Sequence, residues 1–293
     1  MRMSLGLAAL VLVAGCNSSS DPFAGGDGGA GRDAGAVVDA STGGPDASGP
    51  ENWPSTPEPR PARLVILGDS IAACSTVGGK DNADCAAKKL HVALETSNPG
   101  LVYQNLAVGG AVTANVPDSQ LAGVTTGPGH VLVVLTIGGN DLSPYIFQSD
   151  ATTQAGYDMK RPTLLADWER IFAFFADTAR FPDGATILMN TQYNPFDDCT
   201  ASPYNLSALK IELLHNFNQE LVNLARSHAH AFIADPYRRF LGHGHHYNVD
   251  TCPNYMAGAA YWMGDLIHPN VTGHDELSKV WTDATDHIFA TSP

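Results

Sequence analysis

The chain alternates short apolar runs with amphipathic helical patterns, and this alternation constrains its fold more than any other feature of the sequence. The apolar runs are rich in Val, Ile and Leu and have the length of buried parallel strands. They are Arg63–Leu67, Leu101–Leu106, His130–Ile137, Ala185–Thr191 and Ala231–Asp235. Helical patterns lie between and after them, at Ala86–Glu95, Leu164–Arg180, Ser207–His228 and His274–Ala290. The sequence therefore predicts a three-layer α/β/α sandwich with a mostly parallel five-stranded sheet, whose ligands bind at the carboxyl ends of the strands.

The composition is that of a globular protein that repels nucleic acid. Hydrophobic residues make up 44% of the 293 residues, which is enough to form a core. Lys and Arg total 16 against 30 Asp and Glu, which gives a formal net charge of -14. Because this sign repels a phosphate backbone, nucleic acid is not expected as a partner. The expected oligomeric state is a monomer.

The N-terminus resembles the export signal of a bacterial lipoprotein. Residues 1–15 combine the cation of Arg2 with an apolar stretch and small residues, a pattern typical of a signal peptide that is too short to span a bilayer. The residues up to Cys16 are similar to a lipobox, which implies cleavage before Cys16 and acylation of its thiol and amine. Ordinary secretion and an uncleaved anchor are the alternatives. Because Asn17 is not the Asp of an inner-membrane retention signal, we expect a lipid-anchored, extracytoplasmic protein on the outer membrane or cell surface.

The segment that follows has the composition of a flexible tether. Residues 16–61 contain nine Gly and seven Pro, with few apolar side chains that could offset the entropy cost of ordering the segment. The sequence therefore predicts three parts. They are a signal peptide over residues 1–15, a lipidated tether over residues 16–61 and one folded domain over residues 62–293.

Residues suited to acyl transfer follow the predicted strands and recur near the C-terminus. They are Gly68-Asp69-Ser70, Gly109-Gly110, Gly138-Gly139-Asn140-Asp141 and the pair Asp265 and His268. A serine hydroxyl becomes a nucleophile when a neutral imidazole accepts its proton, and a carboxylate holds that imidazole in the required tautomer. Backbone N–H groups of glycine loops and an Asn amide can donate to the developing oxyanion. Asp69 and Asp141 are interpreted as acceptors that brace these loops.

These blocks resemble those of the SGNH, or GDSL-type, hydrolases, and the resemblance extends from Leu64 to the last predicted helix. It implies a flavodoxin-like fold and the hydrolysis of a carboxylic ester through an acyl-enzyme, with no metal or organic cofactor. Within LVILGDSI the resemblance makes Ser70 the nucleophile and a backbone oxyanion donor. Within DLIHPN it makes His268 the base and Asp265 its partner.

The same resemblance supplies the other oxyanion donors. In NLAVGG it implies a backbone donor at Gly110, with Gly109 as the alternative. In LTIGGND it implies a side-chain donor at Asn140. Ile71 is the one departure, because the family motif has Leu at that position, and both residues are apolar.

The substrate and two rival interpretations stay open at this level. Lipid, aryl and acetylated-carbohydrate esters all fit the same residues, because the shape of the pocket sets selectivity. An α/β-hydrolase of the nucleophile-elbow type shares the order Ser, Asp, His, but Gly68-Asp69-Ser70-Ile71-Ala72 lacks the closing glycine of its motif. A catalytically inactive, carbohydrate-binding surface lipoprotein on the same scaffold is an alternative of a different class.

Three further segments are expected near the cleft. A histidine-rich loop either forms a polar rim or holds a metal, and its spacing favours the rim. It contains His243, His245 and His246. An aromatic group either walls the cleft or belongs to the core, and it comprises Tyr255, Tyr261, Trp262 and Met263. Residues 193–198 follow a strand end and are predicted to border the cleft.

The five cysteines divide into one lipidation site and an even number of thiols. Outside the cytosol such thiols pair, and four of them allow three connectivities. We favour Cys74 with Cys85, which closes a short loop after the predicted nucleophile, and Cys199 with Cys252. Free buried thiols are the alternative.

Overall fold

The computed structural model describes residues 52–202, 204 and 206–289. Its centre is a five-stranded sheet in the order β2-β1-β3-β4-β5, in which every neighbouring pair is parallel. The strands are β1 (Arg63–Gly68), β2 (Val102–Asn105), β3 (Val131–Thr136), β4 (Ala185–Asn190) and β5 (Ala231–Ala234). The predicted α/β fold is confirmed, and its five strands lie within two residues of their predicted ends.

Six α-helices accompany the sheet in the described part of the chain. They are α1 (Ala86–Ser97), α2 (Gly139–Ile146), α3 (Asp150–Phe175), α4 (Ala208–Ser227), α5 (Pro236–Phe240) and α6 (Val271–Ile288). Among the described residues, no helix is both long enough and apolar enough to cross a membrane.

Each strand contributes alternate side chains to two separate cores, because successive residues of a strand point to opposite faces. On β1, Val65 and Leu67 belong to the core that α3 and α4 cover, whereas Leu64 and Ile66 belong to the core under α1 and α6. All of these side chains are fully buried. A strand covered on both faces reads as an unbroken apolar run, which is why the sequence revealed the strands so clearly.

The prediction for α3 was wrong at both ends. The helix begins at Asp150 and ends at Phe175, whereas the apolar pattern predicted Leu164–Arg180. The first half is polar and is held by tertiary contacts: Tyr157 is buried, packs against Phe217 of α4 and donates its hydroxyl to Glu220 at 2.7 Å. Periodicity cannot reveal a helical segment that is fixed by so few buried side chains.

The domain begins earlier than predicted. Asn52, placed in the tether by composition, donates to the Ala231 carbonyl at 2.9 Å and accepts from the Ile233 N–H at 3.2 Å, so its amide pairs with β5. Glu58 donates its backbone N–H to the Ile288 carbonyl at 2.8 Å. Residues 52–61 therefore belong to the folded unit. The predicted signal peptide, Cys16 and the tether up to residue 51 lie outside the described residues.

The structure contains both favoured disulfides. Cys74 is bonded to Cys85 across 11 residues, and Cys199 is bonded to Cys252 across 53 residues. The first ties the loop after Ser70 to the start of α1. The second joins the segment after β4 to the segment that follows the histidine-rich loop.

Candidate active site

Ser70 lies in a tight turn at the carboxyl end of β1. The turn requires glycine at position 68, where φ is +139° and an added Cβ would lie 2.0 Å from the Thr136 carbonyl oxygen of β3. The Gln120 side chain accepts from the Gly68 N–H at 2.9 Å and donates to the Gly68 carbonyl at 2.8 Å. These contacts fix the backbone immediately before the Ser70 hydroxyl.

Tertiary folding brings Ser70, His268 and Asp265 together. The Ser70 Oγ lies 2.8 Å from the His268 Nε2, although the two residues are 198 positions apart. The His268 Nδ1 lies 2.9 Å and 2.8 Å from the two carboxylate oxygens of Asp265. With its proton on Nδ1, facing the carboxylate, the ring presents an acceptor to the serine hydroxyl.

Asp265 is held as a carboxylate by its own loop. Its Oδ1 accepts the backbone N–H groups of Ile267 at 2.9 Å and His268 at 2.8 Å. Partial burial by itself raises the pKa of the Asp265 carboxyl, but these N–H groups and the His268 ring outweigh that effect, so the pKa lies below its ordinary value. Asp265 therefore stays ionised opposite the imidazole at neutral pH.

Asn140 and the Gly110 turn lie against each other beside Ser70. The Asn140 amide donates to the Ala111 carbonyl at 2.9 Å. Gly110 has φ +78°, and an added Cβ would meet no atom within 4 Å. Among the described residues, no acceptor is present for the backbone N–H groups of Ser70, Gly109 or Gly110. These N–H groups and the Asn140 amide are therefore candidate donors to an oxyanion, and the choice between Gly109 and Gly110 stays a prediction.

The two neighbouring aspartates brace these loops. Asp69 accepts from the Ile71 N–H at 2.9 Å, and Asp141 accepts from the N–H and hydroxyl of Thr113 at 2.7 Å and 2.9 Å. Burial raises the pKa of the Asp69 carboxyl to about 7, since the Ile71 N–H only partly offsets the lost hydration and the Asp141 carboxylate repels it. Asp141 also has a raised pKa, chiefly through burial.

A cavity opens beside Ser70 and runs between α2, α4 and the segment after β4. The space in it, together with the open solvent at its mouth, amounts to about 720 Å³. Most of its wall is apolar, and the apolar side chains are Ile71, Leu142, Ile146, Phe147, Pro195, Phe196, Leu206, Leu214 and Ile267. Leu142 and Leu214 are buried, whereas Phe147 is exposed. The cavity can therefore receive an apolar group attached to a reacting carbonyl next to Ser70.

Residues 66–276 match the GDSL-like Lipase/Acylhydrolase family. The chain belongs to this family. Its fold is similar to that of an extracellular lipase from Streptomyces rimosus, with a TM-score of 0.53 and 22% identity over 76% of this chain and 99% of that one. It is also similar to the lipase Lip_vut3 from a goat rumen metagenome, with a TM-score of 0.52 and 16% identity over 76% and 96% of the two chains. No curated protein matches the sequence.

Membership of the GDSL-like family makes the chain a carboxylic ester hydrolase. The identities to the two lipases are low, so those likenesses carry the fold alone. Neither likeness assigns a substrate or a residue role to this GDSL-like hydrolase.

The histidine-rich loop of this hydrolase is a structural element. His243 stacks on Trp262 with ring centroids 3.4 Å apart, and His246 is buried with its ring nitrogens 3.0 Å from the carbonyls of Phe196 and Ala201. His245 Nε2 donates to the Leu266 carbonyl at 3.1 Å and so contacts the loop that carries Asp265. Within the described part of the chain, no three His, Cys, Asp or Glu side chains are grouped to hold a metal.

The other predicted cleft segments divide between cleft and core. Residues 193–196 line the cavity, as predicted, and the carboxylate of Asp197 accepts three backbone N–H groups of the histidine-rich loop. Trp262 and Met263 are buried in the core, whereas Tyr255 is exposed. Neither these residues nor Tyr261 line the cavity.

Sequence reasoning missed several polar residues that support the site of this GDSL-like hydrolase. Gln120 holds the Ser70 turn, and Thr113 holds the Asp141 loop. Thr76 and Tyr193 contact the backbone on either side of His268. Gln120, Thr113 and Thr76 are single side chains with no periodic or motif pattern around them, so no signal in one sequence could have found them. Tyr193 lies in the segment predicted to border the cleft, but its contact beside His268 was not predicted.

Proposed function

We propose that this GDSL-like hydrolase cleaves carboxylic esters through an acyl-enzyme formed on Ser70. The observation that carries the proposal is the 2.8 Å contact between the Ser70 Oγ and the His268 Nε2, backed by Asp265 on the other side of the ring. A hydroxyl, an imidazole and a carboxylate in this order form the constellation that activates serine as a nucleophile.

The proposed reaction has two halves. The Ser70 Oγ attacks the ester carbonyl carbon while its proton passes to His268 Nε2, and the carbonyl electron pair moves onto the oxygen. That oxyanion accepts hydrogen bonds from the N–H groups of Ser70 and Gly110 and from the Asn140 amide. When the intermediate collapses, the alcohol leaves with the proton from His268. Water then attacks the acyl-enzyme in the same way and releases the carboxylic acid.

The cavity favours esters with an extended acyl chain over acetyl esters. Each methylene transferred from water into an apolar site contributes about 0.8 kcal/mol. An acetyl group, with one methyl, covers little of the apolar wall to which Leu142 and Leu214 belong. Of the substrate classes that fit the sequence, lipid esters and aryl esters of fatty acids therefore agree best with the cavity.

A first experiment separates the esterase from the inactive binding protein. The esterase should be labelled by a fluorophosphonate and should hydrolyse p-nitrophenyl esters, and both properties should vanish in Ser70→Ala. An unlabelled wild-type protein that binds acetylated xylan tightly would instead support the inactive, carbohydrate-binding alternative.

A second experiment tests the acyl cavity. Across p-nitrophenyl esters from acetate to palmitate, kcat/KM should rise from acetate to chains of intermediate length. Leu214→Trp should fill part of the cavity and lower kcat/KM for octanoate at least tenfold while sparing acetate. Leu209→Trp on the same helix, outside the cavity, is the matched control. An unchanged chain-length profile in Leu214→Trp would exclude this site for the acyl group.

We also propose that the hydrolase is exported and held on a membrane by lipid at Cys16. The lipobox-like residues before Cys16 support this location, and so do the two disulfides, since disulfides persist in oxidising compartments. In a bacterial host, Cys16→Ser should move the protein from the membrane fraction to the soluble fraction. An unchanged distribution would exclude lipid at Cys16 as the anchor.

A further inference from the structure

The backbone of His268 is held on both sides by side-chain hydroxyls. The carbonyl of the preceding residue, Ile267, accepts from the Tyr193 hydroxyl at 2.5 Å. The carbonyl of the following residue, Pro269, accepts from the Thr76 hydroxyl at 2.7 Å. We call Tyr193 and Thr76 together the hydroxyl clamp.

The two hydroxyls come from elements that are themselves fixed relative to Ser70. Tyr193 follows the end of β4, and its ring stacks on Phe240 with centroids 4.6 Å apart. Burial raises the pKa of the Tyr193 hydroxyl well above its ordinary value, so it stays a hydrogen-bond donor. Thr76 lies in the same loop as Ser70, next to the disulfide that begins at Cys74. The hydroxyl clamp therefore fixes the backbone of His268 relative to the sheet and relative to the loop that carries Ser70.

The segment that carries His268 needs such support because it belongs to no helix or strand. Residues 264–268 form a bend between the two bridged residues Met263 and Pro269, and Asp265 and Leu266 in this bend are exposed. Its one internal backbone bond at His268 runs from the Gly264 N–H to the His268 carbonyl at 2.7 Å. A loop of this kind can rotate by small amounts, and a misplacement of about 1 Å between reacting groups can lower a rate about 10²-fold.

We propose that Tyr193 and Thr76 are positioning residues that hold His268 Nε2 at hydrogen-bonding distance from Ser70 Oγ. The inference rests on the proposed function of His268 as the base. Neither hydroxyl touches the reacting atoms. The effect of the hydroxyls is on the rate of proton transfer. Tyr193 also lines the cavity, and Tyr193→Phe keeps its ring there.

The test removes each hydroxyl while keeping its shape. Tyr193→Phe keeps the ring that stacks on Phe240, and Thr76→Val is tolerated because position 76 is exposed. Each variant should lower kcat for p-nitrophenyl octanoate about tenfold with KM within a factor of about two, and should slow fluorophosphonate labelling of Ser70 by a similar factor. Thr76→Ser, which restores a hydroxyl, should recover most of the activity.

Matched variants separate positioning from a general loss of hydroxyl bonds. Tyr237→Phe removes a tyrosine hydroxyl that contacts Asp198. Thr282→Val removes a threonine hydroxyl that donates to the Ser278 carbonyl inside α6. Both should keep wild-type kcat. The proposal is overturned if the clamp variants keep wild-type kcat, if the controls lose as much, or if Thr76→Ser is no better than Thr76→Val.

The outcome for the clamp is distinguishable from the outcome for the proposed function. If Ser70→Ala and His268→Ala abolish hydrolysis while Tyr193→Phe and Thr76→Val do not reduce it, the clamp fails and the triad stands. If Ser70→Ala or His268→Ala hydrolyses the ester at the wild-type rate, the proposed function is wrong, and the clamp, which rests on it, is wrong as well. Thermal unfolding of every variant shows whether a loss of kcat reflects a loss of fold.

Discussion

The Asn140 side-chain amide donates a hydrogen bond of 2.9 Å to the Ala111 carbonyl, which follows Gly110 directly. This bond uses one amide hydrogen and leaves the other for the cleft. The adjacent residue, Asp141, holds Thr113 of the same turn through its N–H and its hydroxyl. Two loops that follow different strands are therefore joined beside Ser70. The proposed oxyanion site benefits from this, because donors that are already in place need not reorganise during a reaction.

Asn140→Ala should lower kcat about 10²- to 10³-fold, the usual effect of removing one oxyanion donor. KM for p-nitrophenyl octanoate should change little, because the apolar side chains of the cavity wall are unchanged. Asn223→Ala on the exposed face of α4 is the control and should keep wild-type kcat. Full activity in Asn140→Ala would remove Asn140 from the oxyanion site.

Asp69→Asn should stabilise the fold at alkaline pH and make little difference near pH 4. The folded-state pKa of Asp69 is raised to about 7 from an ordinary value of 3.8, so the folded state holds a proton that the unfolded state releases. Stability is therefore lost as pH rises through this interval, and an Asn side chain, which still accepts from the Ile71 N–H, avoids that loss. Thermal unfolding from pH 4 to 8 measures the difference. A difference in Tm between Asp69→Asn and the wild type that does not vary with pH would contradict the raised pKa of Asp69. The control Asp158→Asn, at an exposed position, should have the Tm of the wild type throughout.

His274→Phe should weaken the acid dependence of stability. His274 is fully buried, its Nε2 has no hydrogen-bond partner among the described residues, and burial lowers its pKa from 6.5 to about 4. The charges of His268 and Lys89 act in the same direction. Because the unfolded state binds a proton more readily, stability is lost as pH falls from about 6.5 to about 4. The slope of Tm against pH in that interval should become shallower in His274→Phe, and an identical slope would refute the role of this side chain.

The two disulfides should differ in what they support. In a chain-entropy estimate, the bond that spans 53 residues stabilises by about 4 kcal/mol and the bond that spans 11 residues by about 3 kcal/mol. Replacing Cys199 and Cys252 by Ser should therefore cost more stability in denaturant unfolding. Replacing Cys74 and Cys85 should cost more activity, since that bond anchors the loop shared by Ser70 and Thr76. The reverse ranking in activity would show that the shorter bond does not support the site.

Local sequence patterns predicted the elements that are regularly buried and missed those held by single tertiary contacts. The strands were readable because burial on both faces leaves unbroken apolar runs such as Leu64 to Leu67. The first half of α3 was not readable, because Tyr157 and a hydrogen bond to Glu220 hold a stretch that is otherwise polar. Asn52 was assigned to the tether for the same reason, since its contact with β5 leaves no trace in composition.

The sequence by itself determined the α/β class, the strands, the family and the residue types of the site, because apolar periodicity and short motifs are local properties. Tertiary structure alone decided how far Ser70 lies from His268, which hydroxyls hold the loop between Asp265 and Pro269, and how wide the cavity beside Leu142 and Leu214 is. These are distances between segments far apart in the chain, and they are fixed by packing and by single long-range hydrogen bonds that no local pattern records.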